Sequence, residues 1–298
     1  MHGEGTKKLV PHTMSRMGDV LAGFHAAWEF TSDSVLIRYE RGIRTPKLFQ
    51  ALGERLIPLE AVAGVTLTPG KRDTVVLRIE PRPGADPLME AAAGQLKDSC
   101  DPYRLVLPAE RGTLAEYYAD ELLALLTESG PAERHLVSAP KTPLHFKAYD
   151  GRASFDGKAV SFRWSWTGAS SAKWKAGDQR FPVEELCGVE WRSPEVFEGH
   201  LRLLHRDEPT QSPHADQDPA AVVFGLGYGP VHESLPFAAA VLAAARTTAP
   251  VPVAAAAAVR RDPADIADRI RHLGELHHAG LVTDEEFSVK KAELLAEL

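Results

Sequence analysis

Pro58-Leu59-Glu60-Ala61-Val62-Ala63-Gly64-Val65-Thr66-Leu67 returns 124 residues later as Pro182-Val183-Glu184-Glu185-Leu186-Cys187-Gly188-Val189-Glu190-Trp191. The proline, the first glutamate, the glycine and the valine after it are identical, and the apolar positions stay apolar. The flanks agree. Upstream lie two alternating segments, Val35-Leu36-Ile37-Arg38-Tyr39 and Val160-Ser161-Phe162-Arg163-Trp164. Period-2 alternation with β-branched and aromatic residues predicts half-buried strands. Downstream come Leu77-Arg78-Ile79 and Leu201-Arg202-Leu203, again 124 apart. Each is followed by a polar insertion (residues 81–101 and 207–219), a strand (103–107 and 221–226) and an apolar helical stretch (114–126 and 235–246).

Two copies of one small domain follow from this. Each is expected to be a few antiparallel strands, in a sheet or small barrel, closed by one C-terminal helix; the class is α+β. The expected organisation is a flexible extension over 1–19, a first repeat over 20–130, a second over 131–247, an Ala/Pro linker over 248–261 and a helical hairpin over 262–298.

In that hairpin Asp262 is an N-cap before Pro263 at the first helical position, and Gly280 supplies the C-cap. Thr283 and Glu286 then form a capping box. Ile266, Ile270 and Leu273 fall on one face of the first helix, and Phe287, Leu294 and Leu298 along one side of the second. Two helices of about 15 residues bury too little to stand alone, so their stripes need another surface.

Ile270, Leu273, Leu276, Gly280, Leu281, Thr283, Glu285, Glu286, Phe287, Lys290, Leu294 and Leu295 together resemble the SHOCT domain, a short C-terminal domain of bacterial proteins. Val282 departs from the isoleucine frequent there. The resemblance implies self-association, with Ile266, Ile270, Leu273, Leu276, Gly280, Phe287, Leu294 and Leu295 as the oligomerisation or docking residues. A nucleic-acid role fits poorly, since the segment carries nine acids against four bases. The two Pro-x-Glu-x-x-x-Gly-Val matches, with the helix ending each copy, resemble the tandem domain-of-unknown-function family 4429. That resemblance implies pleckstrin-homology (PH)-like folds and brings no catalytic residues with it.

A net charge of −7 argues against a general nucleic-acid binder, which needs an excess of Lys and Arg. Cys100 and Cys187 fall at unrelated places in the two copies, so a reducing compartment is expected and a disulfide framework is not. No uninterrupted apolar run follows the first residues, and 249–259 is too short to span a bilayer; the expectation is a cytoplasmic chain.

Enzyme motifs are missing. There is no phosphate loop, no Gly-x-Ser-x-Gly elbow and no His-Glu-x-x-His. Gly225-Leu226-Gly227-Tyr228-Gly229 precedes Pro230 rather than a helix and reads as a turn. His200 and His205 point to opposite faces of a strand, and His272, His277 and His278 lack zinc-pair spacing. No cofactor, metal or catalytic residue is expected.

One segment offers a ligand surface. Residues 162–168 and Lys173-Trp174-Lys175 read as a hairpin with three tryptophans and three basic residues, Arg163, Lys173 and Lys175. Phe162, Trp164 and Trp166 alternate and are expected to face inward, leaving Trp174 off that stripe. The expected function is a non-enzymatic protein-binding scaffold or adaptor, multimerised by the hairpin. The alternative is peripheral binding of an anionic membrane through Arg163, Lys173, Trp174 and Lys175. An unrecognised enzyme is the third and weakest reading.

Overall fold

The computed structural model describes residues 19–206, 213–225 and 232–248. The chain divides into two units, Met1–Ala249 and Pro250–Leu298, and every described residue belongs to the first. Residues 1–18 of the expected 1–19 extension, residues 207–212 of the second insertion and the whole expected hairpin, with Ile266, Ile270, Leu273, Leu276, Gly280, Phe287, Leu294 and Leu295, lie outside the described residues, while Asp19 already belongs to the first strand.

The first repeat runs β1 (Asp19–Ala22), β2 (Ala26–Phe30), β3 (Ser34–Tyr39), α1 (Lys47–Leu52), β4 (Glu54–Pro58), β5 (Val62–Pro69), β6 (Thr74–Pro81), α2 (Pro87–Ala92), β7 (Arg104–Pro108) and α3 (Gly112–Leu125). The second runs β8 (Leu144–Lys147), β9 (Gly151–Phe155), β10 (Ala159–Trp164), α4 (Ser171–Ala176), β11 (Gln179–Pro182), β12 (Leu186–Arg192), β13 (His200–His205), β14 (Ala221–Val223) and α5 (Ser234–Thr248). Each repeat holds a four-stranded antiparallel sheet (β1-β2-β3-β4; β11-β10-β9-β8) and a three-stranded one (β5-β6-β7; β12-β13-β14). Among the described residues none of these sheets closes into a barrel. In the first repeat an isolated bridge, Phe24 to Val106, is what joins one ladder to the other.

The repeated decapeptide marks the crossing from one sheet to the next. Pro58 and Pro182 end their strands, where a missing N–H costs no ladder bond. A 3-10 turn follows in each, Leu59–Ala61 and Val183–Glu185. The next strand then slips register between Val62 and Gly64, and between Leu186 and Gly188. A bulge of this kind bends and twists a strand, here at its entry into the second sheet. The short helices α1 and α4 are related by the same 124 residues, and each stops at a glycine with positive φ, Gly53 (67°) and Gly177 (71°), which other residues adopt only under strain.

Two apolar cores result. The first gathers Trp28, Ile37, Ile57, Leu77, Ile79, Leu105 and the inner face of α3. The second gathers Phe155, Phe162, Leu201, Leu203 and α5, and it also takes in Leu48, Leu88, Ala91 and Ala92 from the first repeat. The insertion over 81–101 is therefore not a bare loop. Asp86 accepts from Leu88 N at 2.9 Å and caps α2, with Pro87 at the first helical position. Helix α2 then lies on α5 and β12. The α5 sequence, Ser-Leu-Pro-Phe-Ala-Ala-Ala-Val-Leu-Ala-Ala-Ala, offers small side chains that allow this close approach, and its first nine residues are all buried.

Candidate functional site

At one end of the second repeat four segments meet: the β8–β9 turn, the β10–α4 connection, the β12–β13 connection and the end of β14. Tyr149 N donates to Val223 O at 3.1 Å, Ser165 N to Asp150 O at 2.8 Å and Phe224 N to Gly199 O at 2.9 Å. Gly168 passes so close to the Tyr149 carbonyl that a Cβ would collide with it. Beneath this end stands a buried ion pair. Lys173 Nζ donates to Asp150 Oδ2 at 2.5 Å and sits 5.0 Å from the Trp164 ring centre, while Asp150 Oδ1 accepts from Val223 N at 2.9 Å. Burial pushes the Asp150 carboxyl up and the Lys173 ammonium down; the charge of each partner opposes the shift of the other.

On this base large apolar side chains face solvent. Trp166 is 80% and Trp174 51% exposed, with their rings perpendicular at 5.1 Å. Tyr149, Val196 and Phe197 are exposed on the neighbouring segments. Tryptophan and tyrosine held on a rigid scaffold are what protein interfaces use as anchors.

The residues expected to form a basic hairpin separate here. Lys173 is not on the surface: it is fully buried, because α4 turns it under the sheet end to meet Asp150. The strands β10 and β11 do pair antiparallel, but Lys173, Trp174 and Lys175 lie on α4 in the connection between them rather than on a strand. Trp166 does not continue the inward stripe, because β10 ends at Trp164 and the alternation ends with it. Arg163 lies on the outer face of its strand and pairs with Asp178 at 3.2 Å. Trp174 and Lys175 are exposed.

Several interactions escaped the sequence reading. Arg55 and Asp86 form a second buried pair at 2.7 Å, joined by Tyr103 Oη donating to Asp86 Oδ2 at 2.8 Å. Burial works against the Arg55 charge, and Asp86, Tyr103 and Tyr39 together more than offset it, while burial raises the Tyr103 hydroxyl, Asp86 adding to the rise. Between the repeats, Gln95 donates to Trp191 O at 2.8 Å and accepts from Ser193 N at 3.0 Å, and Lys97 pairs with Glu195 at 2.7 Å. A small cleft beside them is lined by Leu48, Leu96, Cys100, Trp191 and Leu235. A matched pair recurs in both copies: Arg78 with Asp101 (3.0 Å) and Arg202 with Asp218 (2.8 Å), each aspartate also accepting a backbone N–H, from Tyr103 and Ala220. Among the described residues no three His, Cys, Asp or Glu side chains converge as a metal site, and no helix is long and apolar enough to cross a membrane.

Two copies of one α+β unit, joined through an inserted helix and carrying an exposed aromatic end, define the chain as a tandem-repeat protein. The model for a domain of unknown function (DUF4429) matches residues 28–123 and 153–242, more than half of the chain, and the chain belongs to that family. Comparison with curated proteins finds no match.

Proposed function

We propose that this chain is a non-enzymatic protein-binding scaffold or adaptor. Each repeat is read as a PH-like module: a four-stranded and a three-stranded antiparallel sheet followed by a helix packed on the second sheet are the order that fold requires. The observation that carries the binding role is the exposed aromatic end formed by Tyr149, Trp166, Trp174 and Phe197. The C-terminal segment over 262–298, read from its sequence as a SHOCT-like hairpin, would multimerise the modules, and multimerising weak sites raises avidity without new contacts. The chain is proposed to work in the cytoplasm.

The anionic-membrane reading loses support at this site. Lys173 is buried and Arg163 pairs with Asp178, which leaves Lys175 as the cation beside the exposed tryptophans. One charge near a membrane surface contributes only about 1 kcal/mol.

A photo-crosslinking residue placed at Trp166 tests the reading in the cells that make the protein. The expected result is one discrete adduct, identified by mass spectrometry, that disappears when Trp174 is changed to Ala. No adduct, or one indifferent to Trp174→Ala, would sink the proposal.

A further inference from the structure

Both repeats present the same end: the turn between the first two strands, beside the connection that leaves the third. In the second repeat that connection, residues 165–170, carries Trp166 and no charged residue. In the first repeat it reads Glu40-Arg41-Gly42-Ile43-Arg44-Thr45-Pro46, with Lys47 following at the start of α1. Its middle is a tight turn. Thr45 N donates to Gly42 O at 3.1 Å, which sets Ile43 and Arg44 at the two corners. The Gln50 amide donates to Gly42 O and to Thr45 O, both at 3.0 Å, and ties the base of the turn to α1. Glu40 N donates to His25 O at 2.9 Å, and Thr45 Oγ1 lies 3.4 Å from His25 Nδ1, so the loop is also joined to the β1–β2 turn.

This braced turn holds out an aliphatic side chain between two cations. Turn corners are ordinarily filled by Gly, Pro, Asn, Asp or Ser. Ile43 is instead fully exposed, more so than any other large apolar side chain among the described residues. Phe24, on the β1–β2 turn, is half exposed. Arg41, Arg44 and Lys47 are exposed as well, and among the described residues none of them is held in an ion pair. Glu40 is the one carboxylate of the loop. A local rule broken without a structural return marks a functional surface.

We propose that this loop seats the first repeat on an anionic membrane surface, with Ile43 entering the apolar boundary and Arg41 and Arg44 meeting lipid phosphates. The inference goes beyond the protein-binding reading, which concerns the end of the second repeat, and places the adaptor at a membrane. An apolar side chain that enters the interface, flanked by cations, is the combination interfacial binding uses. A nucleic-acid strand is gripped by stacking on aromatic rings, and protein hot spots favour Trp and Tyr. The loop over 40–47 has neither residue and no Phe. In a chain of net charge −7 the attraction is confined to such a local cluster. The contact is peripheral, since no helix among the described residues is long and apolar enough to cross a bilayer.

The test is sedimentation of the full chain with phosphatidylcholine vesicles holding about 30% phosphatidylglycerol, at roughly 50 mM and 300 mM salt. Binding is expected at low salt, at least about fivefold weaker at high salt, and absent with phosphatidylcholine alone. Ile43→Ser leaves the charge unchanged and is expected to weaken binding at least about fivefold. Arg41→Ala with Arg44→Ala is expected to weaken it at least about tenfold. Both variants change exposed side chains, so their urea midpoints should match wild type. No binding to anionic vesicles at low salt, equal binding to uncharged ones, indifference to Ile43→Ser, or ready displacement from vesicles by single-stranded DNA would each overturn the assignment. The Trp166 crosslink reports on the other repeat, so the adaptor reading stands or falls separately.

Discussion

Replacing Lys173 by Met removes the cation from a fully buried pair and leaves Asp150 facing Trp164 and the sheet end with the Val223 N–H as its remaining strong donor. Removing one member of a buried pair costs about 3–5 kcal/mol, because the other charge is left uncompensated. A domain is stable by only about 5–15 kcal/mol, so the loss is a large share of the whole. The assay is urea unfolding read by tryptophan fluorescence, with Trp164 5.0 Å from the Lys173 nitrogen as a local reporter. The deficit has a pH signature. Burial already raises the Asp150 carboxyl, and without Lys173 it rises further. A carboxyl whose folded pKa is raised contributes its stability below the unfolded value and loses it as the pH rises through the folded one. Lys173→Met is therefore worst at neutral pH and recovers toward the ordinary carboxylate range near about pH 4. The first repeat shows that the position does not need a charge: Phe49, 124 residues earlier, stacks on Tyr39 at 4.7 Å. Lys173→Met combined with Asp150→Asn should recover to within about 1–2 kcal/mol of wild type. A single variant within about 1 kcal/mol of wild type at pH 7 would refute the claim that this pair supports the site.

Other outcomes follow from the same packing. Asp86→Ala removes the cap of α2, the partner of Arg55 and the acceptor of Tyr103 together, and should cost about 3–5 kcal/mol in urea unfolding, whereas Asp86→Asn, which keeps an acceptor, should cost less. Leu88→Ala, at a fully buried contact between repeats, should cost about 2–5 kcal/mol and separate the unfolding of the two repeats into two calorimetric transitions; a single unshifted transition would contradict the shared core.

The repeat was legible because the bulge, the 3-10 turn and the glycine recur at one offset, and each leaves a residue signature. The strands were legible from alternation on β3 and β10. Lys173 was misread because its partner Asp150 lies 23 residues away and leaves no local trace. The offset itself held the missing signal: Lys173 aligns with Phe49, a core residue, so the position faces inward in both copies. The same alignment places Trp166 beside Arg41 and Gly42, in an exposed connection. Helix α2 was marked by Asp86-Pro87, the same cap-and-proline pair that the sequence reading used at Asp262-Pro263 but overlooked in a segment taken as polar insertion. The pairing of Arg55 with Asp86 spans 31 residues and two elements, and no pattern in one strand announces it.

The scaffold account is tested most directly by the solution mass of the intact chain beside one ending at Arg261, measured by sedimentation equilibrium. The account predicts an oligomer for the intact chain and a monomer after truncation. Two monomers would contradict it.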